Sequence, residues 1–128
     1  GVPQASPALI IAQEYQKRAS RIGFEFENIQ DMLKKVLEEM KELQEAATPE
    51  HQLEEMGDLL FMMAGVARWL HIDAEAALRQ ANRKFRQRFQ EVEAIVRSEG
   101  RSFDSYRDDE WTALWERVKE KIDSADAR

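Results

Sequence analysis

The chain has 128 residues, the length of one domain and enough to bury a core without metal or disulfide staples. Nineteen Lys and Arg against 25 Asp and Glu leave a formal charge of −6, which offers no cationic footprint for nucleic acid or an anionic membrane. There is no cysteine, no apolar run near the ~18 residues of a membrane span and no signal-peptide pattern; disulfides, thiolate metal sites and cysteine nucleophiles are excluded, and the reading is a globular, acidic, cytoplasmic protein.

The chain opens on Gly1 rather than Met, and residues 1–6 read as a linker. It is taken as a single domain over 1–128 and as a fragment of a longer protein or a trimmed chain. Ser6-Pro7 signals an N-cap with proline at the first helical position, and Gly23 a stop, so a first helix is predicted over residues 7–22. Asn28 and Asp31 open a second, with Leu33, Val36, Leu37, Met40, Leu43 and Ala47 at helical spacing. Thr48-Pro49 repeats the start signal for a third, ending near Leu70. Asp73 caps a fourth, whose Leu78, Ala81, Phe85, Phe89, Val92 and Val96 form an apolar stripe up to Gly100. A polar loop from Arg101 to Asp108 leads to a short amphipathic helix with Trp111, Leu114, Trp115, Val118 and Ile122. No stretch alternates with the period of a strand. The expected fold is all-α, four antiparallel bundled helices plus a short C-terminal helix.

From Leu59 to Leu70 the third helix is apolar on every side. A helix with one buried face needs only a stripe, so this one is expected to pack in a homodimer or higher homo-oligomer; the alternative is the centre of a monomeric bundle.

Acidic residues cluster at two places. Glu38, Glu39 and Glu42 lie on the second helix, and Glu55 and Asp58 on the third. Residues three apart are neighbours on a helix surface, so Glu39/Glu42 and Glu55/Asp58 form two pairs that an antiparallel turn at Thr48-Pro49 can bring face to face. Converging carboxylates repel and raise one another's pKa unless a cation joins them. Hard oxygen donors suit Mg²⁺ and Mn²⁺, and a cation there screens phosphate charge and activates water. On its own, the acidic run of the second helix reads equally as a solvated face. In the third helix the acidic stripe runs into Leu59 and Met62, unlike an ordinary wet surface. Gly57 beside it predicts close backbone packing.

In this order and spacing the residues resemble the MazG family of nucleoside triphosphate pyrophosphohydrolases, within the all-α NTP pyrophosphohydrolase superfamily. Glu38-Glu39-x-x-Glu42, twelve residues, then Glu55-x-x-Asp58 is similar to the family signature. Similar blocks are Gly23-Phe24-Glu25-Phe26, Glu55 to Phe61, Ala81-Asn82-Arg83-Lys84-Phe85-x-x-Arg88-Phe89 and Ala113-Leu114-Trp115-Glu116. The resemblance implies Mg²⁺-dependent hydrolysis of a nucleoside triphosphate to the monophosphate and pyrophosphate, with Mn²⁺ as a substitute. It makes Glu39, Glu42, Glu55 and Asp58 the metal ligands and gives Glu38 a supporting or water-activating place. Lys84 and Arg88 would offset the charge of the leaving pyrophosphate; Asn82, Trp115 and Lys17 would contact the nucleotide. Apart from the resemblance, Lys84 and Arg88 read as a cationic flank, Lys17 as solvated, and Trp115 as core like Trp111 and Trp69. Phe26 stands where the family often has Trp, keeping the ring and losing the indole N–H. His51 and His71 lie at helix ends, complete no ligand set and are given no catalytic role. Alternatives are a relative restricted to dUTP, dCTP or a modified nucleotide, a phosphoribosyl-ATP hydrolase, and a non-catalytic dimerisation or nucleotide-binding module.

Overall fold

A computed structural model describes residues 5–126; residues 1–4 of the expected linker lie outside them. The described residues form five α-helices and one 3-10 turn, with no strand among them, so the all-α expectation holds. None of these helices is long and apolar enough to cross a membrane. The chain divides into two compact units, one up to Leu78 and one from Arg79, each with its own packing.

The first unit holds α1 (Ala8–Arg21), α2 (Ile29–Glu45) and α3 (Pro49–Trp69). Helix α1 starts one residue later than the Ser6-Pro7 signal predicts. Pro7 itself is the N-cap, in extended backbone and with no side-chain cap bond, and its carbonyl accepts from the Ile10 and Ile11 N–H groups. The helix ends as expected at Gly23, whose φ of +87° suits a residue without Cβ. There the Gly23 N–H donates to the Ser20 carbonyl and the Phe24 N–H to that of Ala19, satisfying two carbonyls that a helix end leaves open. Asn28 and Thr48 cap α2 and α3, accepting from the Asp31 and His51 N–H groups at 2.9 and 3.1 Å.

Only Ala46–Thr48 separates α2 from α3, so the chain doubles back. Met32 and Val36 of α2 pack with Val66 of α3, flanked by Leu59, Met62 and Trp69. Helix α1 is fastened to this hairpin by polar groups. The buried Gln13 amide donates to the carbonyls of Ala64 and Ile72, both at 3.0 Å, and accepts from the Ala74 N–H at 3.1 Å. A buried amide satisfied by three distant backbone groups fixes position more narrowly than apolar contact does. The close approach expected at Gly57 is absent, because a Cβ there would meet nothing within 4 Å. It occurs instead at Gly65, where an added Cβ would stand 3.2 Å from the Met32 Cε and 3.3 Å from the Gln16 Nε2. Spacing in the sequence cannot tell these glycines apart; only the helix crossing does.

Helix α4 (Ala74–Glu99) starts on Asp73, whose Oδ1 accepts from the Ala76 N–H at 3.1 Å. It continues into the second unit and stops at Gly100, φ +66°. After the 3-10 turn Phe103–Ser105 comes α5 (Asp108–Asp126), longer than expected. Its first turn, Asp108, Asp109 and Glu110, is acidic and suits the positive end of a helix dipole, a start signal invisible when apolar positions alone are counted. Val92, Ile95 and Val96 of α4 and Leu114 and Val118 of α5 form the core of this unit. The N-terminal part of the expected α4 stripe is not in it: Leu78, Phe85 and Phe89 are 50%, 57% and 40% exposed. Arg101 clamps the turn, donating to Glu110 at 2.7 Å and lying 3.9 Å over the Tyr106 ring. This guanidinium, with the Arg107 N–H, holds the Glu110 carboxyl down to about 2.

His71 follows α3 with φ +60°, a left-handed conformation that L-residues adopt at a cost. Its N–H donates to Arg68 and the next, of Ile72, to Ala67, the same closure that Gly23 makes after α1. His71 is thus a helix-ending residue. His71→Gly is expected to raise stability by up to about 1 kcal/mol, read as a higher denaturation midpoint.

Candidate metal centre

Carboxylate oxygens of Glu39, Glu42 and Glu55 lie within 4.8 Å of one another. Glu39 and Glu42 come from adjacent positions on α2, and Glu55 comes from α3 across the hairpin. The same register that sets Met32 against Val66 sets Glu39 against Glu55 nearer the turn. Glu39 and Glu55 are each only 8% exposed, and the Oε2 atom of each is buried without a hydrogen-bond partner. Buried charged oxygens with nothing bound to them are costly. Burial, then the neighbouring carboxylates Glu39 and Glu42, push the Glu55 carboxyl above its ordinary 4.5.

Two basic groups flank the trio without filling it. The Lys35 ammonium is 3.5 Å from both Glu38 and Glu39, one turn back on α2. The His51 Nε2 is 3.2 Å from the Glu55 Oε1, one turn back on α3, and lowers the Glu55 carboxyl against the other causes. Sequence reasoning gave neither residue a part, although i to i+4 spacing from a candidate ligand is the signal that finds both. All donors of the trio are hard oxygens, two are unsatisfied, and one face is open through exposed Glu42. These residues fit a Mg²⁺- or Mn²⁺-type cation.

Asp58 is one turn beyond Glu55 on α3, exposed and outside the trio. Glu38 is exposed and paired with Lys35. Lys17 is exposed on α1 and paired with Glu14 at 3.3 Å. Asn82 and Lys84 are exposed on α4. Arg88 donates to the Asp123 Oδ1 at 3.3 Å and lies 6.0 Å over the Trp115 ring; Trp115 is half-buried against the second unit's core and 5.5 Å from Phe85. Phe26 lines a cavity of the first unit, together with Gln16, Phe61 and Arg68, none of which the sequence singled out.

Ionising a carboxyl whose folded pKa is raised opposes folding. In the metal-free chain Glu55's contribution to stability is therefore fully present below the unfolded value of 4.5 and is lost as pH rises through its higher folded value. At neutral pH, Mg²⁺ or Mn²⁺ is expected to raise the melting temperature followed by circular dichroism. Glu55→Gln should raise it without cation and abolish the cation-dependent rise. A melting temperature that saturating cation leaves unmoved rejects the centre.

Residues 10–85 match the family described as phosphoribosyl-ATP pyrophosphohydrolase. Over 113 residues the chain is 38% identical to the nucleoside triphosphate pyrophosphohydrolase/pyrophosphatase MazG of Thermotoga maritima, covering 88% of this chain and 44% of that protein. Over 123 residues it is 40% identical to the nucleoside triphosphate pyrophosphohydrolase of Escherichia coli, covering 92% of this chain and 47% of that one. A 75-residue stretch is 40% identical to the uncharacterized protein YabN of Bacillus subtilis, covering 58% of this chain and 15% of that protein. The chain thus spans less than half the length of the curated relatives it matches. The trio, Glu38, Asp58 and Lys84 all fall within the matched residues. The chain belongs to the phosphoribosyl-ATP pyrophosphohydrolase/MazG-like family.

Proposed function

We propose that this chain hydrolyses nucleoside triphosphates to the nucleoside monophosphate and pyrophosphate, using Mg²⁺, or Mn²⁺ in its place, held by Glu39, Glu42, Glu55 and Asp58. The observation that carries this reading is the trio of converging carboxylates with two buried, unpartnered oxygens, in a chain of this family. The cation would supply screening of the phosphate charge and activation of water. In the reaction, water attacks the α-phosphorus, the bond from that phosphorus to the oxygen bridging to the β-phosphate breaks, and pyrophosphate leaves. Glu38, next to Glu39 and exposed, takes the proton of the attacking water, and Lys35 beside it steadies its charge. By the family resemblance, Lys84 and Arg88 would offset the charge of the leaving group. Asn82, Trp115 and Lys17 contact the nucleotide. This reading places the chain in the cytoplasm with its substrates.

The family match also carries a second reading, phosphoribosyl-ATP as the substrate. A turnover panel of NTPs, dNTPs and phosphoribosyl-ATP with Mg²⁺, its products separated by chromatography, distinguishes the two. Monophosphate plus pyrophosphate from NTPs or dNTPs supports the first reading, and cleavage of phosphoribosyl-ATP alone supports the second. Diphosphate plus phosphate contradicts attack at the α-phosphorus. Glu39→Gln and Asp58→Asn are each expected to cut turnover by more than the ~10–100-fold typical of losing an outer-shell partner, while leaving the helical spectrum intact. Full activity in either variant rejects that ligand.

The proposal includes a second copy of the chain, seated on the α2–α3 hairpin. Leu33, Leu37 and Met40 form one exposed stripe on α2, and Leu53, Met56, Leu60 and Met63 another on α3. Met56, Leu60 and Met63 each follow an inward residue, Glu55, Leu59 or Met62, by one position. The apolar arc is therefore roughly 100° wider than the hairpin's own packing covers. Exposed apolar stripes of this extent mark an interaction surface. Sedimentation is expected to give a dimer or larger assembly for the wild type and a monomer for Leu60→Glu combined with Met63→Glu, both folded. A monomeric wild type rejects the assembly.

A further inference from the structure

The two carboxylates that the hairpin buries are gripped in the same way. On α2 the Lys35 Nζ lies 3.5 Å from the Glu39 Oε1, four residues before it. On α3 the His51 Nε2 lies 3.2 Å from the Glu55 Oε1, again four residues before it. In both carboxylates the other oxygen, Oε2, is buried and has no hydrogen-bond partner.

Helix geometry produces the match, because residues four apart stand one above the other on the same face. Each base is also fixed by a second contact. Lys35 lies 3.5 Å from the Glu38 Oε2, which ties it between two carboxylates. The backbone N–H of His51 donates to the Thr48 hydroxyl that caps α3, at 3.1 Å. Lys35 and His51 are 41% and 53% exposed along their side chains, and ion pairs so open to water contribute little to stability. Their effect on orientation is larger. The terminal torsion of a glutamate is broad, and holding one oxygen sets the plane of the carboxylate and hence the direction of the other.

We propose that Lys35 and His51 are positioning residues of the cation centre, each tying the Oε1 of its carboxylate and so reserving the Oε2 of Glu39 and of Glu55 for the ion. The assignment rests on the reading of the carboxylate trio as a cation centre and adds the residues that orient its two buried members. Neither base touches the ion in this role. Opposite an ionised Glu55, which only accepts, the His51 Nε2 carries the proton and donates.

The test is Mn²⁺ binding to the nucleotide-free chain at fixed neutral pH, followed by the loss of the free-ion signal in electron paramagnetic resonance. Lys35→Met and His51→Leu are each expected to weaken Mn²⁺ binding by about 10–100-fold. Lys35→Arg and His51→Gln, which keep a donor within reach, should restore most of it. Charge alone predicts the opposite for Lys35, because removing a cation from beside a carboxylate draws Mn²⁺ in more strongly. Unchanged or tighter binding in either folded variant overturns the assignment of that residue. So does equal weakening in its conservative partner. Should a variant fail to fold, ¹⁵N spectra of the wild-type imidazoles with saturating Mg²⁺ decide for His51: a proton held on Nε2 supports the assignment, and a bare Nε2 overturns it. For Lys35, a wild-type Nζ signal that Mg²⁺ leaves in free exchange with water overturns it, and a protected one supports it. A wild type that takes up no Mn²⁺ rejects the cation centre itself and the proposal with it, whereas binding that both variants retain rejects the proposal alone.

Discussion

Three carboxylates within 4.8 Å is an arrangement that a helical hairpin would avoid if stability alone shaped it. Each charge raises the cost of ionising the next, and burial adds to it, as the upward push on Glu55 records. What imposes the arrangement is the register of α2 on α3. The three-residue turn and the Met32–Val36–Val66 packing hold the backbone positions of Glu39 and Glu55 opposite one another. Lys35 and His51 soften the repulsion from the rims but leave two oxygens bare. The hairpin is thus a rigid frame holding an unfavourable charge cluster in place, which is what binding a cation at a fixed position requires.

Helix α1 completes the first unit through two glutamines one turn apart. Gln13 is satisfied at both ends of its amide by backbone of α3 and of the chain leading into α4, so it is a fastener. Gln16 is satisfied at one end only. Its oxygen is buried without a hydrogen-bond partner. Gly65 lies beside the second of them: a Cβ placed there would stand 3.3 Å from the Gln16 Nε2, tighter than ordinary contact.

The second unit has a plainer logic. Val92, Ile95, Val96, Leu114 and Val118 pack α4 on α5, and the Arg101 clamp on Glu110 and Tyr106 holds the intervening turn. Phe85 and Phe89 stack at 5.8 Å and remain open to solvent, as do the apolar stripes of α2 and α3. Apolar side chains thus lie outside the cores of both units.

Most of the helices were legible in the sequence because their ends are chemical. Asn28, Thr48 and Asp73 can offer a side-chain oxygen to an open N–H, and Gly23 and Gly100 can turn left-handed, whatever the rest of the chain does. The acidic pairs were legible for a similar reason: spacing on a helix fixes which residues are neighbours. Contacts between helices were not legible. That Gly65 and not Gly57 is the close approach, that Asp58 stands outside the trio while His51 touches it, and that Arg88 is held by Asp123 all depend on rotation and crossing of helices, which a one-dimensional pattern does not encode. The sequence by itself determined the helices, the turn that folds α2 on α3 and the candidate cation ligands. Only the tertiary structure decided which of them meet, because that depends on how the helices rotate and cross.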